Sequence, residues 1–249
     1  MTDPTSSPTT AGIGTCVSDG TAPDPVVTVD DVRAEALALL EGVADGDDLD
    51  APTSALIGLA VNASVCSLGG PRIEREIRQA LDAGATAAQV HETLVVVSGL
   101  GVHTLMEGSG RLAAVLRERG DTSLDVPLDA DRATLRGTRQ GDDPYWRDFE
   151  REVPGFLDAL LRLSPESYQA FFDYCAVPWR TGALRGRVKE LISMASDATP
   201  AHRYLPGLRL HLANAVRLGC GRTAVLHALD IAAAAPPHLG VPAVPHDRP

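Results

Sequence analysis

The sequence predicts an all-α protein, and three observations carry that prediction. Apolar residues recur at helical spacing behind recognisable N-cap residues, strand-like alternation is absent, and the chain resembles itself at an offset of about 135 residues with helical patterns on both sides. At 249 residues, with 44% hydrophobic and 22% charged residues, it can bury one large core or two small ones and has the composition of a folded protein.

The elements follow in order. Residues 1–24 are mostly Thr, Ser, Pro, Gly and Asp, too poor in large side chains to offset their ordering entropy, and are expected to form a disordered tail. From Thr28 the run TVDDVRAEALALLEGV has an N-cap residue, acids in its first turn and apolar residues at helical intervals, which predicts a first helix. The acidic stretch Asp45 to Asp50 leads to a second helix over Ser54 to Val65. IEREIRQALDAG puts Ile73, Ile77 and Ala80 on one face of a third. Thr86 and Gln89 have the spacing of a capping box and open a fourth through HETLVVVSGLG. Between Asp121 and Gly182 lies YWRDFEREVPGFLDALLRLSPESYQAFFDY, which holds most of the aromatics at helical intervals. Aromatic packing is the expected role of this segment, with Tyr168, Phe172 and Trp179 the candidates for facing a substrate.

Internal comparison adds architecture. LDAPTSALIGLAVNAS aligns without a gap to LRGRVKELISMASDAT, and IEREIRQALDAGATAAQVHETL to LRLHLANAVRLGCGRTAVLHAL. The pairs Pro71/Pro206, Ala80/Ala215, Gly84/Gly219 and His103/His238 are among roughly eleven identities in about 55 positions. The expected organisation is a first helical unit at 25–120, a connecting helical segment at 121–182 and a second unit at 183–249.

Composition narrows the function classes. A net charge of −11 argues against a nucleic-acid partner held by Lys and Arg. No apolar run approaches the roughly 18 residues of a membrane span, and Leu94 to Leu100 is broken by Ser98 and Gly99. The N-terminus lacks a basic start followed by an apolar stretch, so a cytoplasmic location is expected. Cys16, Cys66, Cys175 and Cys220 form no C-x-x-C pair, against a disulfide framework, a zinc knuckle or a dithiol centre. His91-Glu92 has Val95 where H-E-x-x-H needs its second His. Gly99-x-Gly101 lacks the third glycine of a dinucleotide loop, and Ser109 lacks the first glycine of a nucleophile elbow. No metal or cofactor is expected from these motifs.

The second unit resembles the repeat of the carboxymuconolactone decarboxylase and alkyl hydroperoxidase D superfamily. The matching residues are K-E-L-I at Lys189 to Ile192, the small residues after it, and H-x-x-x-A-x-x-x-G at His211, Ala215 and Gly219. The resemblance implies two tandem all-α repeats, a site between helices, and a homo-oligomer, with a trimer expected for a tandem chain. It implies a cofactor-independent acid/base enzyme, a decarboxylase or isomerase, acting on a small organic acid or lactone. The peroxidase branch carries C-x-x-C just before the His, where this chain has Tyr204 and Gly207, and Gly69 and Arg72 in the first unit. Peroxidatic chemistry needs a thiolate with a resolving thiol in reach and is disfavoured. A non-catalytic helical ligand binder or scaffold is the other alternative.

Within that resemblance His211 is the expected proton donor and Glu190 the carboxylate that fixes its tautomer, the alternative for His211 being a hydrogen-bonded structural role. The first unit has Ala55 opposite Glu190 and Glu76 opposite His211, so the second unit is expected to carry the site. Pro206 and Gly207 are expected to precede the helix bearing His211. His202 and Tyr204 lie on the loop before it as candidate substrate contacts, His202 also reading as an exposed loop residue. Arg203 and Arg209 are candidates for holding a substrate carboxylate, or else pair with acidic surface, since residues 1–50 are strongly acidic. His238, equivalent to His103, is a candidate second proton donor, with helix capping as the competing role for both.

Overall fold

The computed structural model describes residues 26–241, so the tail expected at 1–24 lies outside the described residues. Those residues form thirteen α-helices and a 3-10 turn, with no strand among them. Helix α1 (Val29–Leu39) starts at Thr28, whose side chain and Asp31 cap each other reciprocally. Helix α2 (Ala51–Ala63) starts earlier than Ser54, because Asp50 accepts from the Thr53 amide and Pro52 sits in the first turn. Pro71 likewise draws α3 (Gly70–Asp82) forward from Ile73. Helix α4 (Ala87–Ser98) has the expected capping box of Thr86 and Gln89. A 3-10 turn at Gly99–Val102 then bends the chain into α5 (His103–Glu118).

The connecting segment folds into α6 (Ala130–Arg139), α7 (Pro144–Glu152), α8 (Phe156–Leu163), α9 (Pro165–Cys175) and the single turn α10 (Val177–Arg180). Three longer helices follow, α11 (Gly186–Asp197), α12 (Leu205–Arg217) and α13 (Arg222–Ala233). Helices α2, α3 and α4 begin at Ala51, Gly70 and Ala87, and α11, α12 and α13 at Gly186, Leu205 and Arg222, an offset of about 135 residues in each pair. Gly84 and Gly219, which follow α3 and α12, both take positive φ, 96° and 89°, where a side chain would be strained.

Two large apolar cores result, with a small third cluster of Ala113, Leu124 and Ala159. One joins α1, α2, α4, α11, α12 and α13 through buried residues such as Val32, Ile57, Val97, Ile192, Leu208 and Val225. The other gathers Phe149, Phe156, Tyr168, Phe171 and Phe172 from the connecting helices with Met106 of α5 and Leu210 of α12. Fully burying each such side chain is worth about 1.5 to 3 kcal/mol. Tyr168 and Phe172 are therefore packing residues, while Trp179 is half exposed with the Lys189 ammonium over its ring.

Lys189, the chain's single lysine, is buried on α11 and pairs at 2.6 Å with buried Glu92 of α4. It also donates to the Pro178 and Thr181 carbonyls, and Glu92 accepts from the Leu184 amide. The ion pair and these three hydrogen bonds together offset the burial of the two charges. No helix among the described residues is long and apolar enough to cross a membrane.

Candidate active site

A cavity of about 110 Å³ lies where the two cores meet. Asp197 of α11, Tyr204 just ahead of α12, and Gly207 and His211 of α12 form one wall, and His103 adds to it from the start of α5. Tyr145, Trp146, Phe149 and Phe171 form the opposite, aromatic wall.

His211 lies in the second turn of α12, since Pro206 and Gly207 fall inside the first turn rather than ahead of the helix. Its Nδ1 lies 2.7 Å from Glu190 Oε2 on α11, and the carboxylate accepts the Nδ1 proton. Asn214, one turn on from His211, donates to the other Glu190 oxygen at 3.2 Å. Arg217 in turn donates to Asn214 at 2.6 Å and pairs with Asp148 of α7 at 3.1 Å. Glu190 is 4% exposed, so a full set of donors is what makes its burial tolerable. Burial favours neutral His211, but the Glu190 hydrogen bond and charge, with Asp197 adding to them, outweigh it and hold its pKa above the ordinary value.

The second feature is Asp197, at the end of α11 and 1% exposed. A Cβ placed on Gly207 would sit 2.2 Å from Asp197 Oδ2, so this carboxylate occupies the space that a side chain at position 207 would fill. Neither Asp197 oxygen has a hydrogen-bond partner among the described residues. Burial, only partly countered by charge on His211, pushes its pKa up to about 7. Beside it, His103 Nδ1 meets His202 Nε2 at 2.7 Å, and the Tyr204 ring stacks on His103 at 4.2 Å. Burial, reinforced by the charges of His202 and His211, pushes the pKa of His103 down to about 3, and burial also lowers that of His202.

The structure brings together His211, Glu190, His202 and Tyr204 of the expected residues. His202 is half-buried and engaged with His103, not a free loop residue. His103 sits where the 3-10 turn passes into α5, its backbone amide capping that turn while its side chain faces the cavity, whereas its counterpart His238 is exposed beyond α13 and does not line the cavity. Neither Arg203 nor Arg209 is part of the cavity wall. Arg209 is taken up by Glu35 at 2.6 Å and Glu152 at 3.7 Å, the pairing with an acidic surface. Arg203 holds a left-handed backbone, φ 51°, between His202 and Tyr204. Sequence reasoning missed Asp197, Asn214 and the aromatic wall. Asn214 had a usable signal, the i, i+3 spacing from His211 on one helix face.

No protein-family model and no curated protein matches this chain. A solved structure does: the crystal structure of a protein from Burkholderia xenovorans LB400 inferred to be a gamma-carboxymuconolactone decarboxylase subunit. The two share 30% sequence identity with a TM-score of 0.63, over 84% of this chain and 91% of that one.

Proposed function

This chain belongs to the carboxymuconolactone decarboxylase family, and from that premise we propose that it is an acid/base enzyme that decarboxylates or isomerises a small carboxylated or lactone metabolite. The observation that carries the reading is the 2.7 Å contact of Nδ1 of His211, a residue of the cavity wall, with Glu190 behind it. Loss of CO2 leaves an electron pair on carbon that must take a proton, and isomerisation moves a proton between carbons. With Nδ1–H held by Glu190, Nε2 of His211 is the ring atom available to give or take it. Asn214 and Arg217 keep Glu190 in place, so the imidazole meets the substrate in one orientation. A space of about 110 Å³ admits a small ligand, with its oxygens toward His103 and His211 and its apolar part against Tyr145, Trp146 and Phe149.

Residues 25–120 and 183–249 are taken as tandem repeats flanking 121–182, a division supported by the shared helix offset and the paired glycines. The second repeat supplies the dyad, since the first has Ala55 and Glu76 at those positions. The chain is taken to assemble as a homo-oligomer, a trimer, in keeping with the exposed apolar residues Leu105, Leu112 and Val115 on α5.

The test is a mass-spectrometric turnover screen of the purified protein against lactone acids and β-keto acids, beside Glu190→Gln. Loss of CO2, or an isomer of equal mass, that disappears in the variant is the expected result. Thermal stabilisation by a panel member with no turnover of any would replace this reading with a ligand binder.

A further inference from the structure

We infer that His103, Asp197 and His202 form a binding site for one divalent transition-metal ion of the zinc class at the polar end of the cavity. This goes beyond the acid/base reading, departs from the sequence expectation of no metal, and does not rest on the dyad. His103 Nδ1, His202 Nε2 and Asp197 Oδ1 are separated by 2.7, 3.8 and 3.7 Å. Three atoms so placed share a point about 2.0 Å from each, the length of a Zn–N or Zn–O bond. The two contacts to Asp197 are too long for hydrogen bonds, whereas they suit two donors converging on one ion.

A second, independent observation concerns charge. Asp197 is 1% exposed and has no hydrogen-bond partner for either oxygen, and among the described residues its only ion-pair contacts are the long ones to His103 and His202. A buried carboxylate left in that state is costly unless a proton or a cation neutralises it. Two imidazoles and one carboxylate select a borderline transition metal over Mg²⁺ or Ca²⁺, which prefer oxygen donors. As they stand, His103 and His202 share one proton at 2.7 Å; for an ion to bind, the ring that carries it moves that proton to its other nitrogen or releases it to solvent, leaving both facing nitrogens with lone pairs. Tyr204 packs on His103, and the left-handed Arg203 turns the chain so that His202 and Tyr204 both reach it. With only three protein ligands the ion keeps open positions, and His103 and Asp197 line the cavity, so an oxygen of a carboxylate or lactone ligand can complete the shell.

The ligands come from the start of α5, the end of α11 and the loop after it, which explains why no sequence spacing announced them. The experiment uses the full chain freed of any affinity tag, dialysed against zinc and separately against cobalt(II), and reads metal per chain by elemental analysis. One equivalent is expected, with visible ligand-field bands for cobalt and a melting temperature raised by zinc. Asp197→Asn and the half-buried His202→Gln are expected to lose stoichiometric binding, and His227→Gln, a histidine paired with Asp48 elsewhere, to retain it. Wild-type protein with less than about a tenth of an equivalent and no shift in melting overturns the site, leaving a hydrogen-bonded imidazole pair. Undiminished binding in folded His202→Gln overturns it equally, placing the ion elsewhere. Metal uptake without turnover of any substrate leaves this site standing and removes the acid/base reading; turnover by a chain that takes up no ion does the reverse.

Discussion

His211 stands between two opposed influences. Burial disfavours its charged form, and the Glu190 carboxylate at 2.7 Å favours it more strongly, so the imidazolium persists above the ordinary histidine pKa of about 6.5. A raised folded-state pKa stabilises the fold fully below the unfolded value, and the contribution fades as pH rises through the folded value. In the proposed reaction the same proton goes to the substrate, so kcat should fall on the alkaline side as His211 discharges. Glu190→Gln removes the main raising influence and should move that alkaline limb to lower pH. An unmoved limb in a pH–rate profile of the variant would show that Glu190 does not tune His211. This pair was legible in sequence because K-E-L-I and H-x-x-x-A-x-x-x-G place both residues in a recognisable frame. Asp197 was not, because its importance lies in the absence of a side chain at Gly207 and of any donor around it, neither visible as a motif.

Among the elements, those closed by local chemistry were readable and those positioned by long-range contacts were not. The capping boxes at Thr28 and Thr86 fixed the starts of α1 and α4, whereas Asp50 was hidden in an acidic run and α2 was expected to begin at Ser54. The tie between α4 and α11 has no local signature at all, since Lys189 and Glu92 lie almost a hundred residues apart. Replacing Lys189 with Met leaves Glu92 buried with its charge unpaired, and should cost about 3 to 5 kcal/mol of stability. Lys189→Met combined with Glu92→Gln should recover a large part of that loss. Denaturant titration of both variants checks this, and an unchanged midpoint in the single variant would mean that the pair is not holding the helices together.

At the scale of the molecule, the cavity exists because an aromatic cluster from the connecting helices is set against the helices that carry the dyad. The sequence revealed the aromatics but not that Tyr145, Trp146 and Phe149 would face inward, since their helical spacing suits packing and cavity lining alike. Exposure of Leu105, Leu112 and Val115 on α5 belongs to the same scale. Light scattering at micromolar concentration should give the mass of a trimer, and Leu112→Glu should lower it. A wild-type monomer would remove the assembly proposal and assign the exposed residues no role in self-association.

The most direct test of the proposed function compares kcat of wild type and His211→Ala on an acid or lactone found to be turned over in the screen, with folding of the variant confirmed by circular dichroism. A proton-transfer role for His211 predicts a fall of about 10² or more with little change in KM. A folded variant retaining kcat within about threefold, far short of the effect of losing a general acid, would contradict it and leave His211 and Glu190 as a structural hydrogen-bonded pair.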